Sequence, residues 1–337
     1  MPDFLICRLL SDKGEIIPFP MGYGDVEIKS FSLLFKEEKL IVIESTKSFE
    51  EEVNLEIVPV ISTIVNSDNL KEADYLAETK FELVLDCINA GLPISETRLL
   101  NSGFIKDLHK NWISPRLNGD SFGPFPTFKI MDRLIPKIDD AQYLFSVDNS
   151  ELKLALQRSY HWLRRSQNEN DLHLKCLFLW FSIECLAKVG EEDITGKVMQ
   201  VLGFPLGKIG MFLSKDRITE IKKHANYVLI LKKLEKQLNE IRELRNNTVH
   251  EGFRSWDIST GLLKEYHATM LLATPRIQNY AMSAVKKGLE TVADFWEYFP
   301  HLYDWHLDIN DFHGNILYML QKNDNSYLYP NVVFNEY

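Results

Sequence analysis

Cysteine is scarce in this sequence: Cys7, Cys87, Cys176 and Cys185 are its four copies in 337 residues, with no close pair among them. Their spacing excludes a disulfide-stapled small scaffold and the Cys-x2-Cys steps of a zinc finger or ribbon. Long apolar runs are missing as well. The most apolar stretch, CLFLWFSIECLA at 176–187, is too short to span a bilayer and carries Glu184. A core helix is expected there, and no membrane partner. The opening residues MPDFLICRLL lack the apolar run of a signal peptide, which together with the unpaired thiols points to a reducing, cytoplasmic setting. Repeats and low-complexity tracts are absent. GFPLGKIG, around Lys208, has neither the glycine spacing nor the Ser/Thr of a phosphate loop, so nucleotide hydrolysis is not expected there.

Basic residues are outnumbered, 38 Lys and Arg against 48 Asp and Glu, but unevenly. Residues 1–150 hold 15 basic against 25 acidic residues, 151–204 hold 7 of each, 205–287 hold 15 against 8, and 288–337 hold 1 against 8. A basic segment therefore lies between acidic neighbours, a distribution suited to phosphate binding or to a solvated helix face.

What is plentiful is apolar: 45% of the chain, enough to fill two cores. Up to about residue 66 the segments FLICRLL, VEIKSFSLLF, KLIVIES and VNLEIVPVISTIV are short and β-branched or aromatic, and they are expected to be strands. TKFELVLDCI fits a strand or a helix. ETRLLNSGFIKDLHKNWI is expected to be helical, and SPRLNGDSFGPFPTF a Pro/Gly-rich loop. From DNSELKLALQRSYHWLRRS onward the periodicity is helical, with Asp148 or Ser150 as N-cap. Helices follow over about 171–189, at GKVMQVLGF, through DRITEIKKHANYVLILKKLEKQLNEIRELRNNTVH, over about 260–287 with a bend near Pro275, and at ETVADFWEYF. The fold class expected is α+β: a β-rich N-terminal domain (1–148), an all-α helical bundle (149–290) and an acidic C-terminal extension (291–337).

One helix carries an anomaly. At 100° per residue from Leu231, Leu234 falls at about 300°, Leu238 at about 340°, Ile241 at about 280° and Arg245 at about 320°. Arg245 thus shares the apolar stripe, while Lys232, Lys233, Lys236, Glu240 and Glu243 face away from it. A guanidinium turned toward a core needs an anion. Glu184, on a helix apolar nearly all round, is the expected partner. Either the pair is a salt bridge that fixes helix register, or it holds the arginine for chemistry. His250 lies five residues on, about 140° round the helix. One ideal helix cannot aim both at a single phosphate, so either the helix ends before His250, as Gly252 suggests, or two copies of the chain converge.

These residues resemble a known family. LRNNTVHEG, preceded by an apolar helix with an internal glutamate, is similar to the active-site signature of HEPN domains, especially the Apea-like group: arginine, a polar residue, three more residues, then histidine. A second Arg–His spacing, Arg217 to His224, has Ile218 after the arginine and no glycine after the histidine. The resemblance covers about residues 150–287. It implies a helical bundle that dimerises with two motifs facing across the two-fold axis, and a metal-independent endoribonuclease without cofactor, of the kind found in toxin and anti-phage systems. It also implies that the N-terminal domain senses a regulatory protein or phage trigger.

The implied chemistry is attack of an RNA 2′-hydroxyl on the neighbouring phosphate. His250 would transfer protons near neutral pH, and Arg245 would clamp the phosphoryl oxygens. Asn246 would orient ribose, phosphate or His250, and Glu184 would hold Arg245. Lys232, Lys233 and Arg254, with Lys208, Lys215, Lys222 and Lys223, are expected on the RNA backbone. The competing reading is a HEPN-fold dimer that serves only as a scaffold or binding module. No metal site is expected. HLYDWHLDINDFH (His301, Asp304, His306, Asp308, Asp311, His313) has ligand-type residues but matches no metal spacing and is expected to be an acidic surface turn. His161, His173 and His267 are expected to be packed or surface histidines, and Trp112, Trp162 and Trp296 packing residues.

Overall fold

The computed structural model describes residues 1–11, 20–46, 55, 58–89, 97–110, 112–116, 131–190, 194–202, 204, 222–223, 225–252 and 258–305. The chain divides into two units, Met1–Asp148 and Asn149–Tyr337. The architecture is α+β.

In the first unit, β1 (Asp3–Leu10), β2 (Met21–Tyr23), β3 (Val26–Ser30), β4 (Pro59–Asn66), β5 (Leu99–Asp107) and β6 (Trp112–Arg116) form one antiparallel sheet in the order β2-β3-β4-β1-β5-β6. Alternation along β1 explains its central place. Leu5, Cys7 and Leu9 turn to one face, where α1 (Lys36–Ser45) packs through Val42. Ile6, Arg8 and Leu10 turn to the other, where α2 (Leu70–Asn89) brings Ala73, Ala77, Phe81 and Val84. Arg8 is 1% exposed and is accommodated because its guanidinium donates to Leu100 O (3.2 Å), Asn101 Oδ1 (3.3 Å) and Asp74 Oδ1 (3.4 Å). Arg116 Nη1 donates to the same Asp74 oxygen at 2.6 Å. A further helix of this unit is α3 (Met131–Ser146).

Three expectations fail here. VEIKSFSLLF is a strand only as far as Ser30, whose hydroxyl accepts the Ser32 N–H and starts a 3-10 turn over Phe31–Leu33. KLIVIES is the helix α1, not a strand: the Glu38 carboxylate accepts the Phe35 N–H at 3.2 Å and starts a helix whose buried positions recur at helical steps, Glu38, Val42 and Ser45. Of its apolar run only Val42 is fully buried, while Leu40 is 58% and Ile43 44% exposed. Within ETRLLNSGFIKDLHKNWI the expected helix is replaced by strands: Leu99–Asp107 is β5, and β6 begins at Trp112. Gly103, at φ 151, lies against Arg8 where the β1–β5 register shifts. The Asp107 carboxylate accepts the His109 and Lys110 N–H groups, both at 2.9 Å, and closes the turn between the strands.

Among the described residues the second unit is helical: α4 (Glu151–Asn168), α5 (Leu172–Ala187), α6 (Ile194–Val201), α7 (Tyr227–Glu251), α8 (Thr260–Lys286) and α9 (Val292–Trp305). Side-chain caps start four of them, α9 through Thr291, whose Oγ1 accepts from Asp294 N at 3.0 Å. Ser150 accepts from Lys153 N, Asp171 from His173 N and Leu174 N, and Ser259 from Leu262 N. The core lies among α4, α5 and α8, around Trp180, Leu179, Ile183 and Met270. A buried polar knot specifies their register: Ser182 Oγ donates to Ser159 O at 2.7 Å, and Gln278 Nε2 donates to Ser159 Oγ at 3.0 Å and Ser182 Oγ at 3.2 Å. The start of the acidic tail joins this core. Phe295 and Phe299 of α9 are fully buried, and Trp296 Nε1 donates to Leu186 O at 2.7 Å. Trp112, by contrast, is 46% exposed on β6 and is not a packing residue. Among the described residues no helix is long and apolar enough to cross a membrane.

Candidate functional site

The site is built where α7 crosses α5. The buried side of α7 is set by Ile230, Leu234, Leu238, Ile241 and Leu244, the periodic apolar residues of its sequence. Arg245 is one residue past Leu244, at the solvent end of that stripe, so its stem packs while its guanidinium reaches the rim. There Nη2 donates to Glu184 Oε2 at 3.3 Å, and Nη1 to Asn246 Oδ1 at 3.1 Å. Cζ lies 5.9 Å from the centre of the Phe181 ring. Glu184 is itself fixed, because Trp180 Nε1 donates to its other oxygen at 2.8 Å.

Arg245 Nε is buried without a hydrogen-bond partner among the described residues. Of the five guanidinium N–H groups, two are engaged by protein. The second hydrogens of Nη1 and Nη2 are left for an oxyanion.

His250 is exposed, in the last turn of α7. The helix does not stop before it. α7 runs to Glu251 and closes on Gly252, whose left-handed backbone (φ 72, ψ 31) lets its N–H bond to Asn247 O. The alternative in which an early helix end swings His250 toward Arg245 is therefore overturned: within one chain the two side chains stay about 7.5 Å apart along the axis and about 140° apart around it.

The last turn is anchored by a residue pair that sequence periodicity does not single out. His173, 2% exposed on α5, has Nε2 2.7 Å from Thr248 Oγ1, and that hydroxyl donates to Leu244 O at 2.7 Å. With the hydroxyl proton committed to the carbonyl, the Nε2–H tautomer donates to Thr248. His173 is thus a packed histidine, as expected, but one fastened to the motif itself. Phe181 and Trp180 were legible only as apolar helix positions.

Other candidate residues lie elsewhere. Lys232 and Lys233 are exposed on the outer side of α7, about 27 Å and 26 Å along the axis from His250, among Glu235, Glu240 and Glu243. Lys222 and Lys223 are exposed, and Lys208, Lys215 and Arg254 lie outside the described residues. So do His306, Asp308, Asp311 and His313, while His301 and Asp304 fall in the last turns of α9. Among the described residues no group of three or more His, Cys, Asp or Glu is gathered to hold a metal ion. Comparison of the chain with models of protein families, with curated proteins and with solved structures finds no match.

Proposed function

We propose that this protein is a metal-independent endoribonuclease of the HEPN type, acting as a homodimer in a toxin or anti-phage role. The observation that carries the reading is the state of Arg245: a guanidinium fixed by Glu184, Asn246 and the Phe181 ring, with N–H donors still free at the rim. Such a group is preorganised to receive the charge that grows on phosphoryl oxygens in a transition state.

In the reaction, the RNA 2′-oxygen bonds to phosphorus as its proton passes to a base, and the bond from phosphorus to the 5′-oxygen breaks as that oxygen gains a proton. The products are a 2′,3′-cyclic phosphate and a 5′-hydroxyl. His250 is the proton-transfer group, exposed and with no hydrogen-bond partner among the described residues. Because one helix turns His250 away from Arg245, the working site combines two copies: the two arginines clamp, and the two histidines divide the acid and base roles. The N-terminal unit, with Leu33, Phe35, Leu40 and Ile43 exposed on and beside α1, is the regulatory module of this reading.

The test is to incubate the protein with end-labelled RNA in excess chelator. The enzyme leaves fragments ending in 2′,3′-cyclic phosphate; intact RNA selects the scaffold reading instead.

A further inference from the structure

On α4, Arg158, Trp162 and Arg165 recur at i, i+4 and i+7 and share one face. Both arginines are exposed, and neither makes an ion pair or hydrogen bond among the described residues. Trp162 between them is only partly buried. Its ring centre lies 5.5 Å from that of Phe178 and 5.1 Å from that of Phe181, both on α5 and both partly open to solvent. Phe181 is also the ring against which the Arg245 guanidinium rests. A continuous surface therefore runs from Arg245 across Phe181 to Trp162, with two free cations at its far side. The single carboxylate within α5, Glu184, has one oxygen on Trp180 and the other on Arg245, so it does not offset those cations.

Aromatic faces interleaved with unpaired arginines fit a polyanion that carries flat π-systems. An apolar partner helix would strip water from Arg158 and Arg165 without offering a counter-charge. A second copy whose two-fold axis passed through this face would bring its own Arg158 and Arg165 to the same patch, adding cations rather than a counter-charge. Single-stranded nucleic acid supplies both missing parts, phosphates for the guanidiniums and unstacked bases for the rings, whereas a duplex hides its base faces.

We propose that Trp162, flanked by Arg158 and Arg165, is a stacking platform for an unpaired base of the bound RNA, next to the scissile phosphate. The assignment rests on the ribonuclease reading for the word scissile; the binding it describes is measured without cleavage.

The experiment uses a fluorescein-labelled single-stranded 12-mer of 2′-O-methyl RNA, which has no free 2′-hydroxyl, and follows anisotropy with the full chain. Trp162→Leu weakens binding about tenfold, on the order of one lost stacked base, while Trp162→Tyr, which keeps a ring, stays within about threefold. The exposed pair Arg158→Gln/Arg165→Gln lowers the slope of log Kd against log salt by about 1.4, the value for two single-strand phosphate contacts. Equal affinity of Trp162→Leu and wild type, or an unchanged salt slope, overturns the platform. A dimer that falls apart in Trp162→Leu while RNA affinity holds overturns it too, by assigning the face to a second copy. Trp162-dependent binding by a protein that leaves cleavable RNA intact keeps the platform and removes the ribonuclease reading.

Discussion

Arg245 and Glu184 meet at 3.3 Å with neither side chain sealed from water, the first 25% and the second 20% exposed. That placement changes what their loss costs. A fully buried pair broken at one end loses about 3–5 kcal/mol because a charge is stranded in the core. Here Glu184 keeps the Trp180 N–H and reaches solvent. Arg245→Ala is therefore expected to lower unfolding free energy by only about 1–2 kcal/mol, measured by urea denaturation. A loss above about 4 kcal/mol would show that the pair is structural first.

Thr248 carries a second prediction. Thr248→Val keeps the shape but removes the hydroxyl that receives His173 Nε2 at 2.7 Å. The buried imidazole loses that partner, at about 1–3 kcal/mol. Thermal unfolding of the variant checks this, and an unchanged midpoint would mean that the bond contributes nothing net. Ribonuclease activity should fall as well, since the same turn holds His250.

Glycine substitutions separate two kinds of backbone demand. At Gly103 an added Cβ would lie 2.0 Å from Cys7 O, on a backbone at φ 151, so Gly103→Ala is expected to cost several kcal/mol and to deplete folded protein. At Gly252, φ is 72 but nothing lies within 4 Å of the added atom, and Gly252→Ala should cost about 1 kcal/mol. Comparable melting temperatures for the two variants would contradict this reading of β5.

The contrast between those glycines also shows why some elements were legible in the sequence and others were not. α7 could be read from its periodicity, and the partnership of Arg245 with Glu184 followed because each charge sat where it needed the other. Ser150 as the N-cap of α4 was visible for the same local reason. α1 misled because four consecutive apolar residues, Leu40 to Ile43, look like a strand when only Val42 is fully buried; the deciding contact, Glu38 to the Phe35 N–H, is a cap. β5 misled because its signals are tertiary: Gly103 matters through Cys7 and Arg8, almost a hundred residues away. At the site, the aromatic support of Arg245 was hidden, since Phe181 on an apolar helix gives no sign of which neighbour it will meet.

His267 on α8 should make the protein acid-sensitive. Burial, reinforced by the nearby charge of Lys175, pushes its imidazole down to about 4. The unfolded histidine titrates near 6.5. Between those values the unfolded chain takes up a proton that the folded chain refuses, so the stability present above about pH 6.5 is lost as pH falls toward 4, on the order of 2 kcal/mol. His267→Gln should show a smaller loss than wild type between pH 7.5 and 4.5 in denaturant titrations. Parallel losses would place the acid sensitivity in other groups.

The central claim, that His250 and Arg245 act as one unit on RNA, is tested most directly by cleavage rates of His250→Ala. His250 is exposed at a helix end, so the variant should fold and keep the oligomeric state of the wild type. If His250 moves the protons, single-turnover cleavage of labelled RNA in chelator should be abolished, Arg245→Ala should abolish it equally, and the double variant should be scarcely worse than either. A folded His250→Ala protein that cuts RNA at the wild-type rate would contradict the account.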